Sequence, residues 1–182
     1  MRSLLIVAML VVTGCASDLA PPQTVGAVDL RRYQGTWYEQ ARLPMFFQRN
    51  CLQSEALYRL RDDGSVAVTN RCTTEGGGSQ QVEGTAVPQV AGQTDKLWVQ
   101  FDTWFSRLFP GLTRGEYWIL ALDDDYRSAL VGHPNRKYLW LLTREPRASD
   151  ALRERLLEVA RQQGYDTERL IWRPADPALA GQ

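Results

Sequence analysis

Between residues 36 and 143 the chain alternates at short, regular intervals between β-branched or aromatic segments and clusters of turn-forming residues. The apolar segments fall at 36–43, 53–61, 65–72, 80–87, 96–101, 116–122, 127–132 and 137–143, and each is read as a strand. The intervening "DDGS", "TTEGGGS", "VAGQTD" and "LDDDYR" carry the Gly and Asp chemistry that reverses a chain. Eight consecutive short strands leave two unpaired edges unless the sheet closes on itself or doubles over. An eight-stranded up-and-down antiparallel β-barrel or a sandwich satisfies that constraint.

One helix follows, in "ASDALRERLLEVARQQGYD". Ser149 is its N-cap, Asp150 complements the positive N-terminal end, and Gly164 stops it. Leu152, Leu156 and Val159, at spacings of three and four, make the apolar stripe that packs against the sheet. A short ninth strand, Leu170-Ile171-Trp172, closes the pattern.

A chain of 182 residues suffices for one domain with a sizeable core. Basic and acidic residues balance at 21 each, which argues against a nucleic-acid partner. The single histidine, His133, sits in the turn "GHPN" and leaves little from which to build a metal site or a catalytic triad. There is no G-x-S-x-G and no Gly-rich phosphate loop. The chain therefore reads as a binding protein rather than an enzyme, with no metal and no cofactor.

The N-terminus reads as a targeting segment. Arg2 precedes nine apolar residues, 4–12, too few for a span of about 20, so residues 1–14 are a signal peptide. The segment ends in Val12-Thr13-Gly14-Cys15, which resembles the lipobox of bacterial lipoproteins. That resemblance implies acylation of Cys15, as by palmitate, and anchoring through several acyl chains. Ala16 follows in place of an Asp retention signal, so the expected location is the outer membrane, lipid-anchored, on its periplasmic face. Residues 15–28 are the lipidated N-terminus and a Pro- and Ala-containing linker, extending to about 47 Å over 16–28. Residues 29–182 are the folded domain. With Cys15 acylated, Cys51 and Cys72 remain, and an oxidising compartment favours a disulfide between them. A bulge at either strand end closes the small offset between them across the "DDGS" turn.

The order of these features is similar to that of the lipocalin family, and to its bacterial outer-membrane lipoprotein members. Gly35-Thr36-Trp37 with Tyr38-Glu39 resembles the family's G-x-W signature, and Arg144 in "YLWLLTRE" its late arginine. "DDDYRSALV" occupies the place of the second signature without its usual T-D-Y form. The resemblance implies a barrel, or calyx, with one closed end, where Trp37 lies across the floor beneath the Arg144 guanidinium and Gly35 lets the chain turn under it. Alternation from Trp37 puts Glu39, Ala41 and Leu43 on the inner face, and turns Arg42 and Arg59 outward. The resemblance adds Ala56, Tyr58, Val68, Asn70, Val99, Tyr117, Ile119, Ala129, Val131, Tyr138, Trp140 and Leu142 to the inner wall. Small residues at 41, 56 and 129 favour a cavity over a filled core. Glu39 is either an arginine-paired carboxylate or an end-stop for a ligand's polar group.

Family topology also places two apolar loops at the open end. The first carries Met45, Phe46 and Phe47, and the second Trp104, Phe105, Leu108, Phe109 and Leu112, with Arg107 and Arg114 flanking it. They cap the mouth, form a homodimer face or touch a membrane. The resemblance implies binding, storage or transport of a single-chain amphiphile, a fatty acid or lysophospholipid, in the cell envelope. Another apolar ligand such as an isoprenoid or tetrapyrrole, or a lipocalin-type enzyme, is the alternative.

Overall fold

The computed structural model describes residues 20–102 and 114–174. Its elements, in chain order, are α1 (Leu30–Tyr33), β1 (Gly35–Arg42), β2 (Cys51–Leu60), β3 (Val66–Thr74), β4 (Ser79–Pro88) and β5 (Lys96–Phe101). There follow β6 (Arg114–Leu122), β7 (Ser128–Gly132), β8 (Leu139–Thr143), α2 (Asp150–Gln162) and β9 (Ile171–Trp172). Strands β2 to β8 pair antiparallel in sequence order, β8 pairs with β1, and β1 pairs back with β2. The sheet is therefore a closed eight-stranded barrel, with β9 added alongside the upper half of β1 through Ala41 and Arg42. All eight expected barrel strands are present, along with the expected helix and ninth strand.

Local chemistry sets the turns. Gly64 closes the β2–β3 hairpin at φ +80°, while Asp63 Oδ1 accepts from the Ser65 N–H at 2.9 Å and the Ser65 hydroxyl at 2.6 Å. Ser149 caps α2, its hydroxyl accepting from the Leu152 N–H at 3.2 Å.

Two cores share the wall of the barrel. The inner one contains Trp37, Ala56, Tyr58, Val68, Val99, Ile119, Ala129, Val131 and Leu142. The outer one lies beneath α2 and contains Leu120, Leu130, Leu139, Leu141, Leu156 and Ala160. Bulges make room for it. The register of β1 shifts between Glu39 and Ala41, and that of β6 between Ile119 and Ala121. Each extra residue gives the strand two neighbouring side chains on the α2 side, Gln40 with Ala41 and Leu120 with Ala121.

The first bulge corrects the alternation read from sequence. Ala41 and Leu43 belong to the outer core against α2, not to the inner wall. Arg42, expected outside, turns inward beside Glu39. Along α2 the fully buried residues are Leu156 and Ala160, with Leu152 and Val159 only half-buried. Ala160 takes the buried place on the stripe that was expected of Val159.

Residues 20–28, expected as part of a linker, are instead fastened to the barrel. The Val25 N–H donates to the Ile119 carbonyl at 3.1 Å, and the Val28 N–H to Thr94 Oγ1 at 2.8 Å. Val28 and Pro22 are buried. The short helix α1 then crosses the closed end, capped by Asp29, whose carboxylate accepts from the Arg31 N–H at 2.9 Å.

Candidate functional site

The closed end is built around Trp37 and Arg144. Trp37 is completely buried, and its indole N–H donates to the Tyr33 carbonyl at 2.8 Å. The Arg144 guanidinium carbon lies 3.9 Å from the indole centroid, a cation–π distance. The same guanidinium donates to the carbonyls of Arg32, Tyr33, Gln34, Thr36 and Tyr126 at 2.8–3.1 Å. Arg144 thus gathers the carbonyls of α1, the start of β1 and the β6–β7 turn. Gly35 sits at φ +99°, and a Cβ there would lie 3.2 Å from Arg144 Nη1. A side chain at 35 would be both strained and crowded.

Above this floor stands a cluster of tyrosines. The Tyr117 hydroxyl lies 2.9 Å from that of Tyr33 and 3.1 Å from that of Tyr58. Burial raises all three phenols above their ordinary range, Tyr58 to about 12, so they stay protonated at neutral pH. Tyr33 is absent from the wall read in the sequence. It lies four residues before Trp37 with ring centroids 4.8 Å apart. The one signal that points to it is Asp29, an N-cap opening a helical turn in "DLRRY".

Ala56, Tyr58, Val68, Val99, Ile119, Ala129, Val131 and Leu142 are buried in one cluster, with Tyr117 and Trp140 half-buried against it. Val66, Ala86 and Leu97 join them from positions the sequence reading passed over. The period-two series Gly84, Ala86, Pro88 along β4 is the available signal for Ala86. Asn70 stands opposite Ala56 and so shares its inward face. Tyr138 lies just before β8, its ring 5.7 Å from Phe47 and 6.2 Å from Trp140.

A charged group of residues also interrupts the wall. The Arg42 Nη1 donates to Glu39 Oε1 at 2.8 Å, with both side chains almost wholly buried. Arg42 Nη2 also donates to the carbonyls of Gln48 and Cys51 at 3.0 and 2.7 Å. Gln48 reaches down from the β1–β2 loop, donating to Glu39 Oε2 at 3.1 Å and accepting from the Trp140 indole N–H at 3.1 Å. Burial pushes the Glu39 carboxyl upward, against the opposite pull of Arg42 and of the Gln48 amide. Among the described residues, Arg42 Nε and Asn70 Oδ1 are buried with no hydrogen-bond partner. Such groups cost stability while unpaired and gain most from a ligand that can pair with them.

The open end divides its apolar residues. Met45 is buried, whereas Phe46 and Phe47 are 78% and 58% exposed. Trp104, Phe105, Leu108, Phe109 and Leu112 lie outside the described residues, as do Arg107 and Cys15. Cys51 and Cys72 form a disulfide with Cα atoms 5.5 Å apart. The register shift between Cys51 and Gln53 supplies the bulge that brings them together.

The lipocalin-like domain family matches residues 28–175. This chain is a lipocalin. It is 40% identical over 169 residues to the outer membrane lipoprotein Blc of Escherichia coli, covering 91% of this chain and 90% of the relative. The Vibrio cholerae protein of the same name is 35% identical, over 92% of this chain and 95% of that one. The solved structure of insecticyanin from Manduca sexta superposes with a TM-score of 0.66 at 19% identity, over 87% of each chain. That likeness shows the lipocalin barrel alone. Lipocalins are generally binding proteins, and membership of the family supports a lipid or another small hydrophobic ligand.

Proposed function

We propose that this lipocalin is exported under residues 1–14, acylated on Cys15 and held at the outer membrane, where it binds a single-chain amphiphile. A fatty acid or lysophospholipid is the ligand class that fits the site best. The observation that carries this reading is the buried, charged Glu39–Arg42–Gln48–Trp140 network beside a wall that is apolar apart from the tyrosine hydroxyls and Asn70. A molecule with one acyl chain and one polar end matches such a lining. Its chain removes apolar wall from water at about 25 cal/mol per Å², and its polar end pairs with groups already dehydrated. The unpartnered Arg42 Nε supports a ligand carrying an acceptor, and Asn70 Oδ1 one carrying a hydroxyl. In this reading Glu39, Ala56, Tyr58, Val68, Asn70, Val99, Tyr117, Ile119, Val131, Tyr138 and Trp140 line the site. The names of the bacterial relatives support the outer-membrane anchor, and the "VTGC" sequence supports Cys15 as its attachment point.

Lipid extracted from the purified, detergent-free domain and weighed by mass spectrometry tests the reading. Species with one acyl chain are the expected cargo. Diacyl phospholipid, an isoprenoid or a tetrapyrrole in stoichiometric amount would replace it with another carrier function.

A further inference from the structure

The N-terminal segment leaves the domain at one end of the barrel only. Arg136 Nη2 donates to the Ala20 carbonyl at 2.6 Å, and Arg136 Nε to the carbonyl of Gln163 at 2.7 Å. Gln23 and Gln163 exchange two bonds, Gln23 N–H to Gln163 Oε1 at 2.9 Å and Gln163 Nε2 to the Gln23 carbonyl at 3.2 Å. Thr24 then bonds to Asp95, Val25 to β6, and Val28 to Thr94. The Asp29 N–H finally reaches the Tyr126 hydroxyl at 2.9 Å, in the β6–β7 turn at the closed end. Arg136, by contrast, belongs to the β7–β8 turn at the open end, because β8 runs from that turn down to Arg144 at the floor. Residues 20–29 therefore run down the outside of the barrel from mouth to floor.

This route fixes how far an anchor at Cys15 can reach. Five Cα steps separate Cys15 from Ala20, giving at most about 18 Å when fully extended. The nine residues of β3 rise about 30 Å, or roughly 23 Å along the axis of a barrel whose strands tilt near 40°. That maximum reach is shorter than the barrel that the chain would have to pass in order to place the closed end on the membrane.

The open rim suits what it would then meet. Phe46 and Phe47 project there, and the Arg49 guanidinium lies 4.7 Å over the Phe46 ring. The Phe47 ring touches Tyr138, adjoining the same turn that holds Ala20. Arg114 and Lys137 are exposed on this rim, alongside the acidic Glu75 and Asp102. Aromatic rings partition into the lipid interface and arginine pairs with phosphate, so the contact is chiefly apolar with cationic support.

We propose that the anchored protein stands with the open end of its barrel against a phospholipid bilayer, Phe46 and Phe47 entering the interface. The proposal rests on the lipid anchor at Cys15 given above. A single-chain lipid then passes between membrane and calyx without crossing water.

The test uses the full, processed lipoprotein in two variants, Lys137→Cys at the mouth and Asp62→Cys at the floor. Each carries one free thiol, because Cys51 and Cys72 are joined and Cys15 is acylated. Each is labelled with a fluorophore and reconstituted into phosphatidylethanolamine–phosphatidylglycerol vesicles containing a nitroxide headgroup lipid. Flotation with the vesicles, and several-fold stronger quenching at 137 than at 62, is the expected result. Flotation with equal quenching, or with stronger quenching at 62, overturns the orientation while leaving the anchor intact. Failure of both variants to float overturns the anchor, and the orientation with it. Flotation with neither site quenched, as a dimer formed through the rims would give, also overturns the orientation.

Discussion

Replacing Arg144 with alanine removes a side chain that joins three segments of the closed end. Five carbonyls lose a charged donor and the Trp37 indole loses its cation. A cation–π contact is worth about 0.5–2 kcal/mol, and a hydrogen bond to a charged group about 1.5–3 kcal/mol when dehydrated. Arg144 is only half-buried, so water replaces several of these donors and the bond contributions must be discounted heavily. A loss of about 2–4 kcal/mol is the resulting expectation, which for a domain of this size lowers Tm by roughly 5–15 °C. Urea denaturation of the soluble domain, followed by tryptophan fluorescence, measures the free energy, and calorimetry measures Tm. Arg144→Lys should recover only part of the loss, since an ammonium cannot fork across five carbonyls. Ligand affinity should change little because Arg144 lies under the floor. A loss below about 0.5 kcal/mol, or full rescue by lysine, would refute the role assigned to the guanidinium.

Other outcomes follow from the same geometry. Thiol titration of the denatured, unreduced soluble domain should find no free thiol, and Cys51→Ser with Cys72→Ser should cost about 3 kcal/mol in the chain-entropy picture. Ala41→Leu should crowd the α2 contact and cost about 1–3 kcal/mol without altering ligand affinity, whereas Ala129→Leu should weaken binding by narrowing the calyx. Equal effects of the two on affinity would contradict the outward placement of Ala41. Glu39 gives a signed pH test: with its carboxyl raised in the folded state, the folded chain holds more proton than the unfolded chain above about 4.5, so this site loses stability as pH rises. Wild type should therefore fall relative to Glu39→Gln, whose side chain does not titrate, between pH 4.5 and the raised value. A rise of wild type relative to the variant would mean that Arg42 dominates burial.

The sequence made the barrel legible because each strand carried its own turn signal, and because Gly35, Trp37 and Arg144 are residue types with few equivalent roles. What it hid was set by distant packing. Nothing in "WYEQAR" marks a bulge at Gln40; the need to present Gln40 and Ala41 together toward α2 and its N-terminal approach creates it. One extra residue then moves Ala41 out and brings Arg42 in, which converts a lone carboxylate into a buried ion pair. The segment 20–28 has linker composition, yet its backbone groups find partners in Thr94, Ile119, Arg136 and Gln163, far along the chain. Composition reports the absence of an apolar period and is blind to such partners. Tyr33 was missed for a related reason, since its place in the tyrosine cluster depends on α1 folding across the floor.

On the proposed function, the calyx takes one acyl chain and reads one polar end. Calorimetric titration of the delipidated soluble domain with a lysophospholipid, and separately with a micelle-solubilised diacyl phospholipid of the same headgroup, tests it most directly. The expected result is saturable binding of one lysophospholipid per barrel with a negative heat-capacity change, loss of most of that affinity in Arg42→Met, and no saturable binding of the diacyl lipid. Equal affinity for the two lipids, or an Arg42→Met variant that folds and binds as tightly as wild type, would contradict it.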